Sequence, residues 1–73
     1  LRLSREGVVI LKVEVHPDGS VGRITVLEDP GYPDMVRAAI KATKQASFQP
    51  GLYNGQPVRT ELTLPPIRFK ISE

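Results

Sequence analysis

Apolar and polar positions alternate along the first part of the chain: Val9, Leu11, Val13 and Val15 share one parity, with Lys12 and Glu14 between them. A period of two in a stretch rich in β-branched residues predicts a strand. Val8 and Ile10 add apolar side chains on the other parity, which suits a central strand covered better than its neighbours. Pro17-Asp18-Gly19-Ser20 then reads as a turn, because proline sets φ, aspartate accepts a local hydrogen bond and glycine supplies positive φ. Val21 to Glu28 returns as a second strand with Ile24 and Val26 on one side, so the two segments form a β-hairpin. Residues 1–6 read as a short, frayed lead-in.

The period changes after Glu28. Glu28-Asp29-Pro30-Gly31-Tyr32-Pro33-Asp34 stops the sheet, and Pro33 fits the first turn of a helix, with Asp34 near the positive end of its dipole. Val36, Ala39, Ile40 and Thr43 then recur at helical spacing, broadened by Met35, Ala38, Ala42 and Ala46. Arg37, Lys41, Lys44 and Gln45 fall on the outer side. The spacing predicts a helix over roughly 33–46. Residues 47–57 read as a loop in which Phe48 plugs the core and Asn54-Gly55 makes a tight turn.

The last apolar segment changes parity. Val58, Thr60, Leu62 and Leu64 occupy even positions, whereas Ile67, Phe69 and Ile71 occupy odd ones, and Pro65-Pro66 stands between them. A slip of one residue reverses the faces of a strand, so an irregularity at the prolines is needed to keep both sets inward. Proline donates no ladder hydrogen bond and belongs to edge strands or bulges. The final strand is therefore expected at an edge. The predicted fold is α+β: a three-stranded antiparallel sheet of order 2-1-3, with a split β-α-β crossover and one helix on one face.

Composition narrows the functional classes. Seventy-three residues make one domain, residues 1–73, near the lower size limit for an independent core. There is no cysteine, so the fold has no disulfide or thiolate metal site to lean on, and redox chemistry does not report the compartment. The net charge of +2 is small and the basic residues are scattered, which argues against nucleic acid as the partner. The chain begins with Leu1, which suggests the C-terminal fragment of a longer protein whose targeting and membrane segments lie elsewhere.

Catalytic chemistry finds little to use. His16 is the only histidine and stands in a turn; Asp18, Glu14 and Asp29 are its nearest candidate partners, and a solvated loop residue is the simpler reading. Ser4, Ser20, Ser47 and Ser72 lie in no nucleophile motif. Glu28, Asp29 and Asp34 do not have calcium-loop spacing, and Gly19-Ser20-Val21-Gly22 lies inside a hairpin rather than between strand and helix. Arg37, Lys41 and Lys44 form a basic ridge at i, i+4 and i+7, which most often is the solvated face of an amphipathic helix. Tyr32, Phe48, Tyr53 and Phe69 are too dispersed for a base-stacking platform. The reading is non-enzymatic, with no catalytic residue, metal or cofactor. What remains is backbone, because an open sheet edge can take up an extended peptide as an added strand.

One family shares this order of parts. Gly7-Val8-Val9 opening the first strand, Pro17-Asp18-Gly19-Ser20-Val21 at the turn and Ala38-Ala39-Ile40 in the helix are its first elements. Phe48-Gln49-Pro50, Asn54-Gly55-Gln56-Pro57-Val58 and the closing Ile67-Arg68-Phe69-Lys70-Ile71 complete the set. Together they resemble the C-terminal domain of TonB, the bacterial energy transducer, over about residues 1–71. Ala46 stands where many members carry a tryptophan, no Tyr-Pro segment precedes the first strand in this sequence, and Pro65-Pro66 interrupts the strand that pairs with the partner.

The resemblance implies a periplasmic interaction domain, anchored in the inner membrane in the full-length protein. Its partner would be an outer-membrane TonB-dependent receptor, whose extended TonB box adds a strand beside the last strand. A proton-driven complex of the inner membrane would act through the missing N-terminal segment. The expected binding edge is Thr60, Glu61, Leu62, Thr63 and Leu64 with Ile67, Arg68, Phe69, Lys70 and Ile71. The same edge would allow a homodimer. Other readings stay open: a TonB- or TolA-like peptide-binding domain appended to a signalling or peptidase protein, a purely structural self-associating domain, and a small basic nucleic-acid-binding α+β module.

Overall fold

A computed structural model describes residues 4–72. The chain forms β1 (Ser4–Val15), β2 (Val21–Glu28), α1 (Pro33–Gln45), β3 (Gly51–Tyr53), β4 (Gln56–Val58), β5 (Thr60–Thr63) and β6 (Ile67–Ser72). Strand β1 is the centre of the antiparallel sheet. On one side it pairs with β2; on the other it pairs with β5 along its second half and β6 along its first. With β5 and β6 taken as one interrupted strand, this is the expected 2-1-3 order. The α+β class and the helix crossover hold.

The lead-in differs from expectation. Ser4, Arg5 and Glu6 belong to β1, opposite Ser72, Ile71 and Lys70 of β6. Polar side chains hid this extension, but β6 supplies the backbone partners that a frayed end would lack. Residues 1–3 of the same lead-in lie outside the described residues.

The core follows the parity of β1. Val9, Leu11, Val13 and Val15 are fully buried, and Met35, Ala39 and Thr43 of α1 are buried with them. Ile24, Val26, Val36, Ile40, Leu64, Ile67, Phe69 and Ile71 pack around the cluster of Val9, Leu11, Met35 and Ala39. Burying an aliphatic side chain of this size contributes about 1.5–3 kcal/mol. Inside the helix, the Thr43 hydroxyl donates to the Ala39 carbonyl at 2.8 Å, which makes a buried threonine tolerable. Ala38, Ala42 and Ala46 do not broaden the buried stripe; all three are exposed. A lone helix on a narrow sheet covers little more than one row of its own residues.

Gly7 is fixed by close approach. A Cβ there would lie 2.6 Å from Pro30 Cβ and 2.8 Å from Met35 Sδ, so the crossover and the helix pack directly onto its backbone. At the helix start, Pro33 takes the first turn and the Tyr32 carbonyl accepts from Met35 N–H and Val36 N–H. Tyr32 offers no side-chain cap. Asp34 instead accepts two hydrogen bonds from the Arg5 guanidinium, at 3.1 and 3.0 Å, and Arg5 also lies 5.2 Å from the Tyr32 ring centroid. This clamp ties the first strand to the helix start. Arg5 holds the Asp34 carboxyl below the usual aspartate range.

Phe48 does not plug the core. It is half-buried against the β1–β2 turn, where its N–H donates to the Gly19 carbonyl at 3.3 Å. Residues 51–57, expected as loop, and Val58, expected to open the last strand, hold the small ribbon β3–β4, closed by Asn54 (φ +50°) and Gly55 (φ +78°). Two successive positive φ values make the turn that Asn-Gly favours. Thr60 joins this ribbon to β5: its hydroxyl accepts from Gly51 N–H at 2.8 Å and donates to the Val58 carbonyl at 3.0 Å.

Candidate edge for strand addition

The last strand keeps a constant register on either side of its prolines. Thr60 faces Val15 and Thr63 faces Lys12; beyond the prolines Ile67 faces Val9 and Ser72 faces Ser4. Between Lys12 and Val9, β1 advances three residues while the last strand advances four, so a single extra residue sits at Pro65-Pro66. The bulge performs the parity change expected from the sequence. Leu62, Leu64, Ile67, Phe69 and Ile71 all turn toward the helix side and are half-buried.

Backbone direction follows from one hydrogen bond. Leu64 N–H donates to the Leu11 carbonyl at 2.9 Å. Antiparallel ladders alternate between pairs that exchange hydrogen bonds and pairs that do not. The backbone groups of Thr60 and Leu62 therefore turn toward β1 with those of Leu64, while those of Glu61 and Thr63 turn outward. Past the bulge, odd β1 residues still face this strand, so Ile67, Phe69 and Ile71 turn inward and Arg68, Lys70 and Ser72 outward. Among the described residues, no strand pairs with the outer side of β5 or β6. The ten residues expected from the sequence thus lie on one edge, but only Glu61, Thr63, Arg68 and Lys70 among them direct backbone donors outward. Pro65 and Pro66 offer none and split the edge into two short segments. The alternation was available from the parity of the sequence; which parity faced outward needed the register.

The start of the edge is pinned by charge. Arg59 donates to Glu14 of β1 at 2.5 Å and to Glu61 at 3.0 Å, and Arg23 N–H donates to the same Glu14 carboxylate at 3.2 Å. The Arg59 hydrogen bond, followed by that from Arg23, holds the Glu14 carboxyl below its usual range; Glu14, then Glu61, raise the pKa of Arg59. Lys12 lies 3.9 Å from Glu61, and Lys70 lies 3.8 Å from Glu6 at the far end. The sequence offered Glu14 only as a candidate partner of His16, and Arg59 not at all. They are 45 residues apart, and only the β1–β5 register brings them together.

His16 lies 3.8 Å from Glu14 and is substantially exposed. No group of three or more His, Cys, Asp or Glu among the described residues is arranged to hold a metal ion. No helix among them is long and apolar enough to cross a membrane.

An antiparallel sheet with one helix and, among the described residues, an outer edge interrupted by two prolines defines a small α+β domain. The family described as Gram-negative bacterial TonB protein C-terminal matches residues 1–71, and the chain belongs to it. This is a family of periplasmic, non-catalytic interaction domains that generally engage outer-membrane receptors. No curated protein and no solved structure matches the chain.

Proposed function

We propose that this domain captures an extended segment of an outer-membrane receptor by strand addition along β5 and β6, and transmits proton-motive energy to transport through that contact. The observation that carries the reading is the outward direction of the backbone groups of Glu61, Thr63, Arg68 and Lys70 on an edge that no described strand occupies. Main-chain hydrogen bonds would supply the attraction, and the alternate side chains the selectivity. Anchoring in the inner membrane, through a segment preceding β1, would deliver force along the strand direction. Hydrogen bonds perpendicular to the strands would then share that load rather than open one at a time. The same edge would serve a second copy of the domain, so receptor peptide and self-association would compete.

The test is an amide-resolved titration with a peptide copied from the N-terminal extended segment of a receptor from the same bacterium. Shifts should concentrate on residues 60–72, with modest affinity because the peptide must be ordered on binding. Shifts confined to α1 or β2, or none at saturating peptide, would reject the proposal.

A further inference from the structure

The outer face of α1 carries a charge arrangement found nowhere else in the described structure. Arg5, Lys12, Arg59 and Lys70 of the sheet side each have a carboxylate within 4 Å. Arg23 and Arg68 stand alone but each lines a depression that also holds a carboxylate, Glu14 and Glu61 for the first and Glu6 for the second. Among the described residues, Arg37, Lys41 and Lys44 have none. They border a shallow groove of about 520 Å³ with Ile40 as its apolar member and Gln45 at its end. The helix carries one acidic residue, Asp34, and that is engaged by Arg5. Helix-dipole complementarity accounts for Lys44, in the last turn, but not for Arg37 or Lys41.

We infer that this groove is a second docking surface, and that its occupant is an acidic protein segment presenting one aliphatic side chain to Ile40. Cations at i, i+4 and i+7 span roughly 10 Å at 1.5 Å per residue, which suits carboxylates along a helical or extended peptide. The charge complementarity has an apolar centre, and a bare solvated face does not need one. A bilayer fits less well. The exposed side chains beside the ridge are Ala38 and Ala42, and an interfacial helix needs large apolar anchors. Nucleic acid fits less well too, since no aromatic residue borders the groove. The surface lies on α1, apart from the β5/β6 edge, so it can be occupied whatever happens at that edge.

The experiment uses a short synthetic peptide with four glutamates around a central leucine, its all-glutamine counterpart, and vesicles of phosphatidylglycerol with phosphatidylcholine. The acidic peptide should shift the amides of Arg37, Ile40, Lys41 and Lys44, and binding should weaken steeply with added salt. The glutamine peptide should not bind. The double substitution Lys41→Glu and Lys44→Glu should weaken binding by roughly tenfold or more. Both side chains are exposed, and an unchanged circular dichroism spectrum and melting curve would show the fold intact. Conservative Lys41→Arg and Lys44→Arg should retain binding. Absence of peptide binding at low salt, shifts on β5 and β6 instead, or binding to vesicles alone would each overturn the inference. So would dimerisation that the double substitution abolishes while peptide has no effect.

Discussion

Strand β2 and the β5/β6 pair flank the same central strand, and among the described residues both leave an outer side unpaired. Strand β2 covers only Ile10–Val15 of β1 and shifts register twice on the way, between Ile10 and Leu11 and again between Val13 and Val15. Each shift places an extra residue on β2, and such bulges increase local twist and turn an edge away from pairing. The β5/β6 pair follows β1 from Ser4 to Val15 with a single bulge and unchanged register on either side. Every irregularity lies on a partner strand; β1 stays regular. A peptide seeking an edge thus finds one short, twice-bulged template and one long one with a single marked break.

Two matched substitutions should separate the inner side of β2 from the outer side of β5. Thr25 pairs with Lys12 and directs its N–H toward β1, so Thr25→Pro removes an internal ladder bond and should destabilise the fold by about 2–3 kcal/mol. Thr63 pairs with the same Lys12 from the other side, but its N–H points outward. Thr63→Pro should leave stability within about 1 kcal/mol of the parent while weakening receptor-peptide binding roughly tenfold. Denaturant titration and peptide binding on the same two proteins check both. Equal losses of stability would mean that the inferred backbone direction is wrong.

Gly7→Val probes the half of β1 that pairs with β6 and lacks β2. The added side chain meets Pro30 and Met35, and should cost about 2–3 kcal/mol in thermal or chemical unfolding. Signals of β6 should broaden before those of the β1–β2 hairpin. A neutral result would show that the crossover does not press on this strand.

The smallest expected effect is electrostatic. Asp34 and Glu14 have carboxyls held below their ordinary values, so their contribution to stability is complete above the unfolded pKa, near 4. It is lost as pH falls through the lower folded values. Asp34 is exposed and Glu14 half-buried at the sheet surface, so the loss should be modest and reduced by salt. Arg5→Gln and Arg59→Gln should each flatten the acid limb of a stability–pH curve. A limb unchanged in both would dismiss these pairs as contributors.

The sequence disclosed what repeats locally. The parity of Val9 to Val15 located the buried face of β1, and the opposed parities of Leu62-Leu64 and Ile67-Phe69-Ile71 located the bulge at Pro65-Pro66. Pairings across the chain were not legible. Ser4–Glu6 is polar and became strand only because Lys70–Ser72 lies beside it. Phe48 resembled a core residue by type, yet the turn at Gly19 claims its backbone and leaves its ring half-buried. The outer face of α1 was visible as a basic ridge. Among the described residues its three cations lack carboxylate partners, while Arg5, Lys12, Arg59 and Lys70 gain theirs through the register of the strands and the packing of the helix start.

Hydrogen exchange at single amides reads the backbone direction of β5 and β6 residue by residue. In the free domain, the amides of Leu62, Leu64, Ile67 and Phe69 should be protected and those of Glu61, Thr63, Arg68 and Lys70 should exchange fast, because only the first set donates to β1. Saturating receptor peptide should slow exchange at that second set in alternation, with little change at Ile24 and Val26 on the outer side of β2. Protection gained on β2, or none gained at Glu61, Thr63, Arg68 and Lys70 by a peptide that demonstrably binds, would contradict strand addition at β5 and β6.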